Sequence, residues 1–533
     1  MLLNMECTGG IMDFKPIVEA IHPNEHKVLK ERDLRRIAEI SKYYDYYENK
    51  YWPHITKEFP EYSREKQKDY TPTHMKFNWA RFFVNRIAAY LFEETPGLEF
   101  NSFEIDKDTN EAGYEPSQSQ INADNRAAER EKLCYELWDS EHNDFALNLI
   151  RAARESEKTG AVAAKLVYQD ELRCIWRPRI EIFPVVDDDV DRIEKVHFAA
   201  FEADEKTFWI QTYEMREFED TGAKFCWMRE VKYTVTDNMR DLKPKVIFDN
   251  WLGNGQPLDF MPVELFPSDA EVGEALPEGS PLMDDLIPLI NEYSMKMSDA
   301  ADSLRFEMFC IRALINVGEA NLKSFKVGPG KLWKLASEHP ELKPAVESLQ
   351  SNFSWRESLE FYLQEVTDAM HLMAHIVRLT PQEIKGLGSM SGVAITLLFT
   401  LTISMVNQKM KIWKPRLQSL NQKMLKMLDI YEPDKREFLK EDGEYYLKNE
   451  VIPRMPIPTN KMEEVDIAIK KLTNNLASMK RIMNESGVEN PEKEIVEIIN
   501  EKKIWEEAFM NYSVQAAQQA KKEAEGEEEK EEV

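Results

Sequence analysis

The stretch Arg378-Leu-Thr-Pro-Gln-Glu-Ile-Lys-Gly-Leu-Gly-Ser-Met-Ser-Gly392 decides how the chain is organised. Gly386, Gly388 and Gly392 give it backbone freedom that a helix or strand does not need. It runs straight into a small, β-branched segment, residues 393–406, and then into a segment carrying Lys409, Lys411, Lys414, Arg416, Lys423 and Lys426. A continuous helix over residues 392–428 would be about 55 Å long at 1.5 Å per residue, with Pro415 bending it. A flexible loop in mid-chain between two helices is therefore the first expectation.

Working outward, two helices precede the loop. Ser280 and Pro281 suit a helix start, with Asp284 and Asp285 in the first turn. Pro288 should kink that helix or delay its true start, and Ile290, Tyr293, Met297, Leu304 and Met308 then repeat by threes and fours. A second helix carries Leu359, Leu363, Val366, Met370, Met373 and Val377. Between them an insertion of short strands and one helix is expected, with turns at Gly318 and Gly328-Pro-Gly330. The expected geometry is a helical hairpin with a knob at its tip.

Upstream, residues 27–50 and 75–92 read as amphipathic helices, residues 51–72 as a loop, and residues 122–158 as two helices. From Gly160 the period changes to two, and residues 160–267 read as a largely antiparallel β-rich part. Downstream, residues 431–458 read as a polar, proline-bearing connector. Residues 459–484 form an amphipathic helix with Val465, Ile469, Leu472, Leu476 and Met479 on one stripe, and another helix starts at Pro491. Residues 521–533 are a Glu/Lys run expected to be disordered.

The 533 residues carry a formal charge of −27 and 43% hydrophobic residues. Such a chain can bury a core, but its overall charge disfavours unspecific nucleic-acid binding. Five scattered cysteines without a CxxC pair suggest free thiols and no zinc site. No secretory signal is evident at the start. The most apolar window, residues 393–406, is too short for a span of about 20 residues.

Chemistry-bearing clusters are few. Asp187, Asp188, Asp189 and Asp191 could bind a cation, but a solvated turn is the more ordinary reading. His371 and His375 at i, i+4 could bind zinc, yet no HExxH and no third ligand accompany them, so packing or interface use is favoured. Gly328-Pro-Gly-Lys331 lacks the Gly-Lys-[Ser/Thr] context of a phosphate loop and reads as a turn. The basic set at 409–426 reads as a solvated or inter-subunit helix face more readily than as a DNA track. No catalytic residue, metal or cofactor is expected.

The layout resembles tailed-bacteriophage portal proteins, in particular the SPP1-like group. The features are Asn85-Arg-Ile-Ala-Ala-Tyr-Leu-Phe-Glu-Glu-Thr-Pro96 before a first strand, and Arg177-Pro-Arg-Ile-Glu-Ile-Phe-Pro-Val-Val-Asp-Asp188 leading into strands. They continue with Leu289-Ile-Asn-Glu292, Ser298-Asp-Ala-Ala-Asp302 and Gly388-Ser-Met-Ser-Gly-Val-Ala394, and end with Ala477-Ser-Met-Lys-Arg-Ile-Met483 before Glu489-Asn-Pro-Glu-Lys-Glu494. Their order covers residues 28–505, and the colinearity rather than any one motif carries the resemblance.

The resemblance implies an α+β, mainly α, portal fold. Residues 1–27 would be an N-terminal arm, 28–280 a wing, 281–308 and 355–377 stem helices, and 309–354 a small α/β clip. Residues 378–391 would be a tunnel loop, 392–430 a long kinked helix, 431–458 a connector, 459–515 a helical crown and 516–533 an acidic tail. It also implies a ring, usually of twelve copies, at one capsid vertex, through which double-stranded DNA is packaged and ejected.

Implied partners are other copies of the chain, the terminase large subunit, major capsid and scaffolding proteins, and head-completion adaptors, with no membrane. The implied location is the virion, after assembly in the host cytoplasm. Arg378, Lys385, Gly386, Gly388, Ser389 and Gly392 become candidate DNA-facing loop residues. Lys326, Lys331 and Trp333 become candidate partner-binding residues of the clip. The rival readings are a cytosolic helical scaffold that forms no ring, and a metal-dependent nuclease using the Asp187 cluster.

Overall fold

A computed structural model describes residues 31–65, 71–103, 117–186, 193–202, 206–218, 222–234, 244–269, 279–308, 311–315, 341, 345–349, 355–379, 392–433, 436–456, 461–486, 488, 491, 494–495, 497–499 and 501–502. Helices and strands are mixed, as the α+β reading expects. The chain divides into two compact units. One comprises Met1–Arg86, Glu157–Thr159 and Ser280–Thr380; the other comprises Ile87–Ser156, Gly160–Gly279 and Pro381–Val533.

In chain order the helices are α1 (Glu31–Tyr47), α2 (Trp52–Glu58), α3 (Trp79–Phe92), α4 (Gln118–Trp138), α5 (Phe145–Thr159) and α6 (Leu282–Met308). They continue with α7 (Arg356–Met373), α8 (Gly392–Leu398), α9 (Thr400–Tyr431), α10 (Lys461–Thr473) and α11 (Met479–Glu485).

The first unit is built on α6. Pro288 lies inside that helix without ending it, because Met283, Leu286, Ile287 and Ile290 bury the flanking turns. One face of α6 accepts hydrogen bonds from the N-terminal segment. Tyr43 donates to Asp284 (2.6 Å), Tyr46 to Asn291 (2.7 Å), Tyr62 to Asp299 (2.9 Å) and the Met75 amide to Ser298 (3.1 Å). Tyr51 and Ser294 share a bond of 2.8 Å. Burial raises the phenols of Tyr43, Tyr46 and Tyr51 above their ordinary range, so they stay donors at any ordinary pH. Trp52 stacks flat on His74, with ring centroids 4.0 Å apart.

The segment expected to be a loop thus contains α2, held by its aromatic side chains. Helix α7 packs along α6, and Tyr362 reaches Glu292 across them at 2.9 Å. Between the two helices in sequence, β12 (Ile311–Ile315) and β13 (Ala345–Leu349) pair antiparallel.

The second unit holds the remaining strands. β2 (Ala161–Gln169) is central in a three-stranded sheet, flanked by β3 (Glu171–Pro178) and β11 (Val263–Pro267). β4 (Ile182–Val186), β5 (Ile193–Phe201), β6 (Thr207–Glu217), β7 (Lys224–Thr234) and β8 (Pro244–Trp251) form a five-stranded meander. Every pairing is antiparallel. Phe198, Trp209, Tyr213 and Cys226 of the meander meet Ala163, Leu258, Val263 and Leu265 in one core. Helix α5 is capped by Asp144 and ends at Gly160, whose φ of 93° turns the chain into β2.

Helix α9 lies over the three-stranded sheet. Its fully buried Trp413 sits 4.9 Å from both Phe92 and Phe266, and its Asn421 accepts from the Trp138 indole at 3.0 Å. The helix expected over residues 392–428 is interrupted at Phe399, where α8 gives way to α9 and the ring is buried. Pro415 stays within α9 without ending it.

The expected connector is not wholly irregular. β16 (Asn449–Ile452) pairs with β1 (Gly97–Phe100), placing buried Val451 opposite buried Leu98. The helix expected over residues 459–484 is divided, with Asn475 in the left-handed region (φ 53°) between α10 and α11. Cys134, Cys174 and Cys226 are free and buried. Among the described residues no helix is long and apolar enough to cross a membrane.

Candidate functional site

The loop read as the centre of the chain is described at its two ends. Arg378 follows α7 and forms an ion pair with Asp368 of that helix. Gly392 opens α8. Lys385, Gly386, Gly388 and Ser389 lie outside the described residues, as do Lys326, Lys331 and Trp333 of the inserted module and the Asp187–Asp189 cluster.

His371 and His375 do not share a helix face. Helix α7 ends at Met373, and His375 has a φ of 52°. His371 faces the Ile376 carbonyl at 3.1 Å and meets Phe83 edge-on at 5.0 Å. Burial holds its imidazole below the ordinary value, which fits packing. Among the described residues no group of three or more His, Cys, Asp or Glu side chains could hold a metal ion.

The cations of α9 turn toward their own chain. Lys409 donates to the carbonyl and hydroxyl of Ser268 at 3.2 and 3.1 Å. Lys414 pairs with Glu450 at 3.0 Å, and this hydrogen bond holds the Glu450 carboxyl below its ordinary value. Glu264 is buried on β11 and gathers Arg416 (3.1 Å), Ser419 (2.9 Å) and Lys423 (2.5 Å). Lys426 reaches Asp259 at 3.2 Å and lies over the Tyr445 ring. Lys411 is exposed.

The set therefore clamps α9 onto the β11 side of the unit, an intrachain use that the sequence reading did not include. The signal that could have suggested it was Glu264 itself, a carboxylate inside the apolar run Val263-Glu-Leu-Phe266. A cavity of about 480 Å³ opens beside this clamp, lined by Phe260, Lys423, Lys426, Tyr445 and Lys448 among others. Two of its lysines are the ones already engaged by Glu264 and Asp259.

A second clamp also escaped the sequence. Arg454 is buried and donates to the carbonyls of Asn484 (2.9 Å), Thr95 (3.1 Å) and Val488 (2.7 Å). Lys480 pairs with the buried Glu131 at 2.7 Å. Together they fix α11 against the β1 edge. Gly97 is needed there, because a Cβ at that position would lie 2.6 Å from the Asn484 side-chain oxygen.

These arrangements organise and hold elements. Among the described residues the free thiols, Cys134, Cys174 and Cys226, are buried. A family model described as phage portal protein, SPP1 Gp6-like, matches residues 26–530. No match is found among curated proteins.

Proposed function

The chain belongs to the SPP1 Gp6-like family of phage portal proteins, and on that premise we propose that its copies close into a ring at one capsid vertex. Double-stranded DNA passes through this ring during packaging and ejection. The terminase motor docks on it first, and the head-completion proteins follow. The observation that carries this reading is the family match over nearly the whole chain.

In this reading residues 28–280 are the wing, α6 and α7 the stem, residues 309–354 the clip, residues 378–391 the tunnel loop and residues 459–515 the crown. The acidic balance of the chain supports it physically. A duplex carries about one negative charge per 1.7 Å of axis, and a conduit that moves it must not hold it. A net charge of −27 per copy repels and centres the duplex. Engagement of the α9 cations by their own carboxylates and carbonyls keeps that helix from becoming a sticky track.

A few cations at the narrowest place then offset the repulsion. We assign Lys385 to that role, with Gly386, Gly388 and Gly392 letting the loop follow the moving helix. Native mass measurement and negative-stain imaging test the ring. A particle of several hundred kilodaltons with a central hole is expected, and a monomer or dimer under all conditions would refute it. Packaging assays of Lys385→Glu and Gly388→Pro test the loop. Both variants are expected to lower packaged DNA severalfold, and unchanged packaging by both removes the assignment.

A further inference from the structure

The cavity beside the α9 clamp has a lining of unusual charge for this chain. The sequence carries 96 Asp and Glu residues against 69 Lys and Arg, yet Lys423, Lys426 and Lys448 line the cavity and no carboxylate does. Its volume of about 480 Å³ falls within the range of about 300–1,000 Å³ that holds small ligands. Phe260, Leu447 and the ring of Tyr445 supply an apolar part of the wall.

Some of the polar groups are committed and others are not. Tyr445 donates its hydroxyl to Asp429 at 2.8 Å, and Tyr446 donates to the Ser102 carbonyl at 3.3 Å. Lys423 is held by the buried Glu264, but Glu264 also meets Arg416, so two cations face one carboxylate and the wall keeps a positive excess. Lys426 meets Asp259, whose side chain is 56% exposed. Exposed ion pairs contribute little, so an incoming anion displaces Asp259 at small cost. Gln422 and Lys448 are exposed, and neither side chain has a partner among the described residues.

Lysine binds phosphate as a point charge. A phosphate monoester carries between one and two negative charges at neutral pH, which suits several converging amines better than a single carboxylate does. We infer that this cavity binds a small phosphate monoester on a planar body, with a nucleoside monophosphate as the type. The phosphate meets Lys448, Gln422 and Lys426, and the planar body lies against Phe260 and Leu447. A cavity of this size takes a small molecule and not a duplex, so the site is separate from the DNA conduit and does not depend on the ring.

Titration calorimetry of the full chain with adenosine 5′-monophosphate at low salt tests this, with inorganic phosphate and adenosine as comparison ligands. Saturable binding of the nucleotide is expected, about tenfold or more tighter than that of either comparison ligand. Lys448→Glu should weaken it by about tenfold or more, and the fold does not rely on that side chain. Asp259→Asn frees Lys426 and should tighten binding severalfold. Lys411→Glu alters an exposed lysine of the same helix outside the cavity lining and should change nothing. No saturable binding up to about 10 mM nucleotide overturns the site. So does equal affinity for phosphate and nucleotide, which leaves the planar body without a role. Binding that is indifferent to Lys448→Glu, or that Lys411→Glu weakens equally, places the nucleotide elsewhere and also overturns it.

Discussion

Lys165 shows what single residues do in this chain. It lies in β2 and is 2% exposed. Its amine donates to Gln211 at 2.6 Å and lies 5.4 and 5.5 Å from the Phe198 and Trp209 rings. Burial lowers its pKa from 10.5 to about 7; the nearby Arg177 pushes the same way, and Glu230 and Glu181 oppose it. Above about pH 10.5 the amine is neutral in folded and unfolded chains alike. As pH falls from there toward 7 the unfolded chain binds a proton that the folded chain resists, so stability is lost across that window and levels off below it. Lys165→Met should therefore stabilise the fold by roughly 1–4 kcal/mol, the range for replacing buried charges by apolar groups of similar volume. In thermal melts of both proteins between pH 6 and 9, the gain should shrink as pH rises. The alternating pattern from Ala161 onward announced a strand but not this burial. A period of two says which residues share a face; it does not say that both faces of β2 are covered.

Among the elements, the clamp around Arg454 sets the position of α11. Gly97→Val would drive a side chain into Asn484 and break hydrogen bonds in a buried site. At about 1–3 kcal/mol for such a loss, amide exchange in Met479–Glu485 should accelerate by roughly 5- to 150-fold, with exchange in β2 and β3 unchanged. Hydrogen–deuterium exchange with peptide-level readout checks this. Element type was legible wherever a period ran long enough. The helices at Gln118–Trp138 and Phe145–Thr159 and the antiparallel strands from Ala161 onward show as much. It was not legible where elements are short. Helix α2 begins with a tryptophan and a proline in an aromatic, charged stretch. β16 spans only Asn449–Ile452, and its identity as a strand comes from β1, about 350 residues away. The α9 cations were visible in the sequence, but their use was not. Of their acceptors, Asp259, Glu264 and Ser268 lie 141 to 167 residues upstream and Glu450 lies 36 residues downstream, and only the tertiary fold brings them together.

For the whole molecule, charge decides how it meets DNA. Unspecific duplex binders reach dissociation constants of roughly 10⁻⁴–10⁻⁶ M at physiological salt through lysine and arginine contacts to phosphate. With its net charge of −27, this chain should hold a free duplex more weakly than about 10⁻⁴ M under those conditions. Filter binding over a salt series checks this; micromolar affinity with a steep salt slope would reveal a basic track.

The hydrogen bonds along α6 also bear on how the polypeptide is made. Tyr43, Tyr46 and Tyr51 wait for partners 241, 245 and 243 residues further along. At a synthesis rate of about 5–20 residues per second, the first eighty residues leave the ribosome some 12–50 s before α6 can receive them. During that interval an aromatic-rich segment is without its docking surface, which makes the nascent chain, rather than the finished protein, the species that needs a chaperone.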